Sequence, residues 1–162
     1  MRKERDSLGE KEVPDEALYG IHTARSLENF NVMGEPVPVE IIHGIVKLKW
    51  ACAKANRTLG MLPAEKAEAI VKACRRILEG GLDAQFGIDV FQAGSGTSSN
   101  MNVNEVVANL ACEELGAARG NRKAVHPNDD VNMGQSTNNV FPSAVRIAGV
   151  ELSAKLLAAA RK

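Results

Sequence analysis

The chain has 162 residues, of which 44% are hydrophobic and 25% are charged, so it is long enough to bury a core of its own. Basic and acidic side chains number 20 each, and a net charge of zero argues against nucleic acid or an anionic membrane surface as a partner. No apolar run suits a secretory signal or a bilayer span, so we expect a cytoplasmic protein.

The first 80 residues predict an irregular segment followed by two helices. Residues 1–38 are rich in turn formers and charged side chains, which indicates loops and a short hairpin. The first helix begins at Pro38 and stops at Gly60, because apolar residues recur between them at helical spacing. The second begins at Pro63, which suits a first turn, and stops at the Gly80-Gly81 pair.

Two further helices are predicted in the second half. The third runs from about Asn100 to Leu115 and presents asparagines on its exposed side. The fourth begins near Pro142 and is predicted to bury Val145, Ala148, Leu152, Leu156 and Ala159. Because no Gly, Asn or Pro ends this helix before Lys162, we expect it to belong to a longer one. The predicted architecture is mostly α.

The cysteines and histidines do not indicate a metal or redox site. Cys52, Cys74 and Cys112 lie far apart in helical segments, which favours buried thiols in a reducing compartment over disulfides. His126 has no Cys or His at the spacing of metal ligands. We therefore predict no metal and no cofactor in this chain.

A first polar segment covers residues 94–105. Its two glycines let the backbone turn tightly, and four hydroxyl side chains follow at the start of a helix. The free N–H groups and positive dipole end of a helix start favour an anion. Simple capping of the helix by Ser98 or Ser99 explains the same residues equally well. A nucleotide P-loop is disfavoured, since no Lys follows the glycines.

A second polar segment covers residues 126–139 and also leads into a helix. Turn formation accounts for Pro127, Asn128 and Asp129. It does not account for residues 135–138, where four neutral polar side chains exceed what one helix cap requires. Neutral donors in such number suit a site that hydrogen-bonds a substrate.

Three stretches in the same order resemble the class II fumarases and aspartate ammonia-lyases. Residues 94–106 resemble the first conserved region of that family, residues 126–138 resemble the next part of its active site, and residues 19–30 resemble its N-terminal segment. The resemblance spans nearly the whole chain. It implies the N-terminal domain of a fumarase/aspartase-like all-α lyase, cut before or early in the central helical bundle. The implied parts are an irregular segment (1–38), helices and active-site loops (39–140) and the start of a bundle helix (141–162).

The resemblance also implies a reaction and a set of site residues. Family members are homotetramers whose active sites combine loops of three subunits. They catalyse anti elimination of ammonia or water from a four-carbon dicarboxylate, giving fumarate. By position, the residues matched to substrate contacts are Ser95, Thr97, Ser136, Thr137 and Asn138. His126 and Asn128 match a secondary anion site.

Two departures from the family pattern affect the expected activity. Asn139 stands where the family usually has Asp. The chain also lacks the family's middle histidine motif and the glycine-serine loop that carries the catalytic base. We therefore expect the substrate-binding donors here, the base elsewhere, and no turnover by this chain alone.

Motif details favour the ammonia-lyase over the hydratase. Residues 21–23 and 136–138 resemble aspartate ammonia-lyases, whereas His126 before Pro127 resembles fumarases. The predicted reaction is therefore conversion of L-aspartate to fumarate and ammonia, with hydration chemistry on L-malate as the alternative. A non-catalytic role, as in lens crystallins of the wider superfamily or in a partner-binding module, is the second alternative.

Overall fold

The structure, a computed structural model, describes residues 1–161 and confirms a mostly helical chain. Its longer elements are β1 (Arg2–Asp6), β2 (Gly9–Val13), α1 (Ile21–Asn29), α2 (Val39–Thr58), α3 (Ala64–Leu78), α4 (Thr97–Glu114) and α5 (Thr137–Ala160). Single turns of 3-10 helix cover Asp83–Gln85 and Gly94–Gly96, and a π-helical turn covers Pro127–Val131. Within residues 1–161, none of the helices has both the length and the apolarity to cross a membrane.

Helix α4 forms the centre of the molecule. Every residue from Asn102 to Cys112 is buried, with α3 packed along one side and α1, α2 and α5 against the others. The apolar stripe predicted for this helix is confirmed, and its members have no exposed surface: Val103, Val106, Val107, Leu110 and Ala111. Burial of this stripe supplies much of the hydrophobic stabilisation of the fold.

The asparagines of α4 were predicted to lie on an exposed face, and this prediction is wrong. Asn100, Asn102, Asn104 and Asn109 are all buried. The Asn109 Nδ2 donates to the Leu18 carbonyl at 2.8 Å, and its Oδ1 accepts from the Gly120 N–H at 2.7 Å. The neighbours of α4 are partly loops, whose free backbone groups need hydrogen-bonding partners in the interior, and the short amide side chains provide them.

The N-terminal segment contains the predicted hairpin, in which Arg2 pairs with Val13, and is irregular over residues 14–20 and 30–38, but it also contains a helix. Helix α1 was missed. Its start is capped by carboxylates from distant elements: Glu105 accepts from the N–H groups of His22 and Thr23 at 2.9 Å each, and Glu4 accepts from that of Ile21 at 3.0 Å. Because Glu105 lies more than 80 residues away, local sequence shows no start signal for this helix.

Two helices begin earlier than the sequence predicts. Helix α4 begins at Thr97 rather than at Asn100, so the serines that follow lie in its first turn. Helix α5 begins at Thr137 rather than near Pro142, because the Ser136 side chain caps it by accepting from the N–H of Asn138 at 3.2 Å. Pro142 therefore lies inside the helix, where it removes one backbone hydrogen bond.

The predicted buried face of α5 is also mostly wrong. Val145, Leu152 and Leu156 are exposed, by 42%, 45% and 70% respectively, and Ala159 is exposed too. The face that packs on the rest of the chain consists of Val140, Ala144 and Ala148. Contact with α2 is close here, since a Cβ on Gly44 would lie 2.8 Å from the Ala144 carbonyl oxygen. Beyond Ala148, the residues of α5 are exposed, and Glu151 pairs with Lys47 of α2.

Removal of the Glu105 side chain is expected to destabilise the fold strongly. Glu105→Ala leaves three buried donors, the Gly20 N–H, the Thr23 N–H and the Thr23 hydroxyl, and the part-buried His22 N–H without an acceptor. Unsatisfied buried donors cost roughly 1–3 kcal/mol each, so we expect a loss of at least about 3 kcal/mol in the free energy of unfolding. Urea denaturation followed by circular dichroism measures it. The matched control, Glu114→Ala on the exposed end of the same helix, should change stability by less than about 0.5 kcal/mol.

Candidate active site

The loop before α4 reverses the chain with two consecutive residues in the left-handed region. Ser95 has φ 61° and Gly96 has φ 71°. The Thr97 hydroxyl closes the turn by donating to the Gly94 carbonyl at 3.0 Å, and Ser95 remains exposed. A non-glycine residue in this conformation is uncommon and costs about 1–3 kcal/mol, and such residues cluster at binding sites.

Neither serine caps α4, so the capping alternative for this segment is not observed. The residue preceding the helix is Gly96, and no side chain caps it. The Ser99 N–H instead donates to Gln92 Oε1 at 2.8 Å, and Gln92 Nε2 donates back to the Ser99 hydroxyl at 2.9 Å. Gln92 thus fixes the loop onto the helix and leaves the hydroxyl of partly exposed Thr97 at the surface.

Thr97 lines a cleft of about 370 Å³ between α1, the start of α4 and the segment before the π-helical turn. His126 and Asn128 line the same cleft. The sequence placed Thr97 in the substrate site and the other two residues in a secondary anion site. Within residues 1–161, these three residues share one cavity.

Several charged or ionisable side chains line this cleft, and sequence reasoning did not select them: Arg25, Arg122, His22, Asp6 and Glu105. Arg25 forks onto Asp6, with Nε at 2.9 Å and Nη2 at 3.0 Å from its oxygens, and this hydrogen bonding lowers the pKa of Asp6 below its ordinary value. The Glu105 carboxylate already accepts hydrogen bonds from the start of α1. The second guanidinium, on Arg122, therefore gives the cleft a positive group that can face an anion.

His126 shapes the wall of the cleft. Its Nδ1 accepts from the N–H groups of Asn128 at 3.2 Å and Asp129 at 3.0 Å, capping the π-helical turn. A neutral ring with Nδ1 as acceptor carries its proton on Nε2. Asp130 supports the turn by accepting from the His126 N–H and from Lys66 Nζ, each at 2.7 Å.

The later part of the second polar segment, residues 136–138, lies beside the first segment but does not line the 370 Å³ cleft. Asn100 Nδ2 donates to the Thr137 hydroxyl at 3.0 Å, which joins α4 to the start of α5. A Cβ on Gly96 would lie only 2.2 Å from the Phe141 ring, so the loop before α4 also packs on α5. Ser136 lines a separate hollow of about 210 Å³, and Asn138 is exposed. The two segments predicted to form one site are therefore in contact.

A buried lysine underlies the second segment. Lys49 of α2 has no exposed surface, and its Nζ donates to Asn132 Oδ1 at 2.7 Å and to Gln135 Oε1 at 2.9 Å. Burial lowers its pKa to about 7. The sequence carried a signal for this residue: Lys49 falls on the apolar stripe of α2, three residues after Val46 and four before Ala53.

Comparison with known proteins gives a consistent result. A family model described as lyase matches residues 9–162. A class II fumarate hydratase of Yersinia pestis is 50% identical over 149 residues, which cover 92% of this chain and 32% of that protein. The crystal structure of a fumarate lyase:delta crystallin from Brucella melitensis matches 93% of this chain with a TM-score of 0.90 and 50% identity, over 34% of its own chain. That of a class II fumarase from Schistosoma mansoni matches 91%, with a TM-score of 0.87 and 44% identity, over 31% of its chain.

The chain belongs to the fumarase/aspartase lyase family. It corresponds to the N-terminal region of that family and spans about a third of the length of the relatives it matches. The resemblance read from three ordered motifs is thus confirmed, as is the fold class. The roles of the individual site residues, and the division of the chain at residues 38 and 140, remain predictions.

In the part of this lyase chain that the structure describes, no three His, Cys, Asp or Glu side chains are grouped as a metal would require. Apart from the carboxylates of Asp6 and Glu105, which are bound by Arg25 and α1, the polar groups that line the two cavities include hydroxyl, amide, guanidinium and imidazole groups. Such groups bind and orient an anion by hydrogen bonding and charge.

A methyl group at Gly96 is expected to displace the loop that carries Ser95 and Thr97. Gly96→Ala puts a Cβ into the Phe141 ring at a φ of 71°. We expect a loss of about 2 kcal/mol in the free energy of unfolding. Gly94→Ala is the matched control, since a Cβ there meets nothing within 4 Å and the backbone is not left-handed; its stability should change by less than about 0.5 kcal/mol. Equal losses in the two variants would contradict the geometry.

Lys49 is expected to make stability rise with pH. Its folded pKa of about 7 lies below the ordinary lysine pKa of 10.5, so between these values the unfolded chain binds more protons and a rise in pH favours the folded state. Burial raises the pKa of Cys52, and that of Cys74 to about 12, which opposes this trend only above the ordinary thiol pKa. Urea unfolding at about pH 6.5 and about pH 8.5 should show the rise in the parent and in Lys47→Met, and a smaller one in Lys49→Met.

Proposed function

We propose that this chain is the N-terminal part of a class II fumarate hydratase, which interconverts L-malate with fumarate and water. The observation that carries the proposal is identity of about 50% to relatives named fumarate hydratase class II, over 92% of the chain for the Yersinia pestis protein and 98% for the Chlamydia caviae protein. This replaces the preference for aspartate ammonia-lyase drawn from the sequence motifs. Elimination from a four-carbon dicarboxylate is common to both readings.

The chemistry of elimination explains why the segments are rich in neutral donors. Removal of a proton from the carbon beside a carboxylate moves negative charge onto the carboxylate oxygens. Fixed hydroxyl and amide donors aimed at those oxygens stabilise the transition state more than the ground state. Under the proposal, these donors are Ser95, Thr97, Ser136, Thr137 and Asn138.

The described geometry supports this assignment in two respects. Both segments lie at helix starts, where free backbone N–H groups add to the side-chain donors. The Asn100–Thr137 hydrogen bond fixes the two helix starts relative to each other, as a substrate held between them requires. Arg122 and His126, in the cleft beside Thr97, supply charge and a ring N–H to draw in or hold a second carboxylate.

The aspartate ammonia-lyase reading remains a second candidate because of two specific features. Residues 21–23 and residues 136–138 have the ammonia-lyase form at positions near the predicted site. Both enzymes bind the same carboxylates and differ in the leaving group. His22 lines the cleft, and its Nδ1 is buried with no hydrogen-bonding partner among residues 1–161.

The chain is not expected to turn over alone. It contains neither the family's histidine motif nor the glycine-serine loop with the base. Under the proposal, those groups come from the remaining two thirds of the enzyme and from neighbouring subunits of a cytoplasmic homotetramer. The apolar surface of Leu152 and Leu156 on α5 fits such packing.

Chimeric enzymes test the site assignment and the substrate. Residues 9–162 replace the matching third of the Yersinia pestis fumarase and, separately, of an aspartate ammonia-lyase. We expect the fumarase chimera to form fumarate from L-malate and the ammonia-lyase chimera to be impaired on L-aspartate; the reverse pattern would support the second candidate. In the active chimera, Thr97→Val and Asn138→Ala should each lower kcat/KM about 100-fold, the usual effect of losing one such donor.

The control for Thr97→Val is Thr58→Val, at the exposed end of α2. It makes the same chemical change away from both polar segments, so kcat/KM should stay within about twofold of the parent. Unchanged kcat/KM in Thr97→Val and Asn138→Ala would overturn the assigned roles. Fumarate formation is followed by its absorbance, and the unmodified chain alone should give none.

A further inference from the structure

We propose that Lys49 is a positioning residue that holds residues 136–138 in the geometry needed to bind a substrate carboxylate. The inference rests on the proposed function, because it assigns a task to a residue that lies behind the predicted site. Lys49 is fully buried and lines neither the 370 Å³ cleft nor the 210 Å³ hollow, so any effect on a ligand passes through other residues.

Lys49 orients two amide side chains. The Lys49 ammonium has donors only, so the amides of Asn132 and Gln135 must turn their oxygens towards it. Their NH₂ groups then face the loop: Asn132 Nδ2 donates to the Gln135 carbonyl at 3.0 Å, and Gln135 Nε2 donates to the Val131 carbonyl at 2.9 Å. One buried amine therefore fixes both amides and the backbone groups they bind.

These hydrogen bonds close a turn. The Gln135 N–H donates to the Asn132 carbonyl at 3.0 Å, and Gly134 between them has φ 71°. This turn ends at Ser136, whose hydroxyl caps α5 by accepting from the Asn138 N–H. The direction in which residues 136–138 leave the turn is thus set immediately above Lys49.

Lys49 is also linked to the first polar segment, residues 94–105. Asn132 Oδ1 accepts from Lys49 and also from Asn100 Nδ2, at 3.2 Å. The same Asn100 nitrogen donates to the Thr137 hydroxyl. A continuous set of hydrogen bonds therefore runs from α2 through the turn to α4 and the start of α5, and Lys49 is its only charged member among the described residues.

The free energy of burial argues that this lysine is not present for stability alone. A buried ammonium is costly, and an apolar side chain of similar volume is often neutral or better. The ionisable groups that face Lys49 are the thiols of Cys52 and Cys74, whose raised pKa values leave them neutral near pH 7. Among residues 1–161 no anion offsets the charge of the protonated amine, so the stabilisation it receives comes from the two amide oxygens it orients.

The test compares Lys49→Met with Lys47→Met in the fumarase chimera. Lys47 lies on the same helix and pairs with Glu151 at the surface, so it matches the chemical change without touching the turn. We expect KM for L-malate to rise and kcat to fall in Lys49→Met, lowering kcat/KM about tenfold, because misplaced donors weaken the binding of the substrate and, more strongly, of the transition state. Lys47→Met should keep both constants. A loss of kcat at constant KM would indicate reduced folding only and would overturn the proposal.

Gln135→Met provides a second variant that keeps the buried amine. If Lys49 acts through Gln135, the double variant should raise KM by less than the product of the two single effects. The inference is wrong if the two effects on KM multiply in the double variant, or if Lys49→Met leaves KM unchanged. Either result counts whether or not Lys49→Met folds well.

Amide NMR spectra of the 162-residue chain itself separate this inference from the proposed function. Lys49→Met should shift the N–H signals of residues 135–138, and Lys47→Met should leave them in place. If the parent chimera has no hydratase activity but these shifts occur, the proposed function fails and the positioning geometry stands. If the parent chimera is active and residues 135–138 keep their signals in Lys49→Met, the positioning role is wrong and the function stands.

Discussion

The carboxylate of Glu105 is the constraint on which the arrangement of this molecule depends. It is buried on the central helix and receives N–H donors from Gly20, His22 and Thr23, together with the Thr23 hydroxyl at 2.7 Å. An anion at a helix start satisfies free N–H groups and the helix dipole together. Through this contact α1 docks on α4, and α1 then forms one wall of the cleft that contains Thr97. The N-terminal hairpin follows, since Glu4 holds the next N–H of the same helix start and is itself paired with Arg2 at 2.8 Å.

A similar arrangement occurs near the start of α4, with a cation in place of the anion. Lys49 organises amide oxygens, whereas Glu105 organises amide hydrogens, and both are buried side chains whose partners are loops or helix starts. Asn100 of α4 shares the Asn132 oxygen with Lys49. A core built only from the valine stripe would hold α4 among its neighbours but would leave the rotation and depth of α1 and α5 free. The polar contacts are directional, and they fix where the helix starts, with their hydroxyls and free N–H groups, are placed.

Sequence patterns were sufficient where the interactions are local and insufficient where they are not. The spacing of Ile42, Ile45 and Ile70 predicts α2 and α3 well, because apolar periodicity and nearby Pro and Gly are properties of neighbouring residues. Helix α1 was missed because its cap is remote. The predictions of exposed asparagines on α4 and of the buried face of α5 were wrong for the same reason. Periodicity shows that two faces of a helix differ in polarity, but the neighbouring elements decide which face is buried. At the site, motif order located both segments and the apolar stripe of α2 includes Lys49, but the contact between Asn100 and Thr137 joins distant residues and has no local signal.

Several exposed features of the chain fit the proposal that other parts of the enzyme complete the site. Ser95 lies in an uncommon backbone conformation and remains exposed. Asn138 is exposed at the start of α5. Helix α5 presents Val150, Leu156 and Leu157 with nothing described packed on them. Each of these features is unfavourable in isolation, since strained turns and exposed apolar side chains cost stability or solubility. Together they lie on the surfaces where the family's remaining chain and neighbouring subunits are proposed to pack.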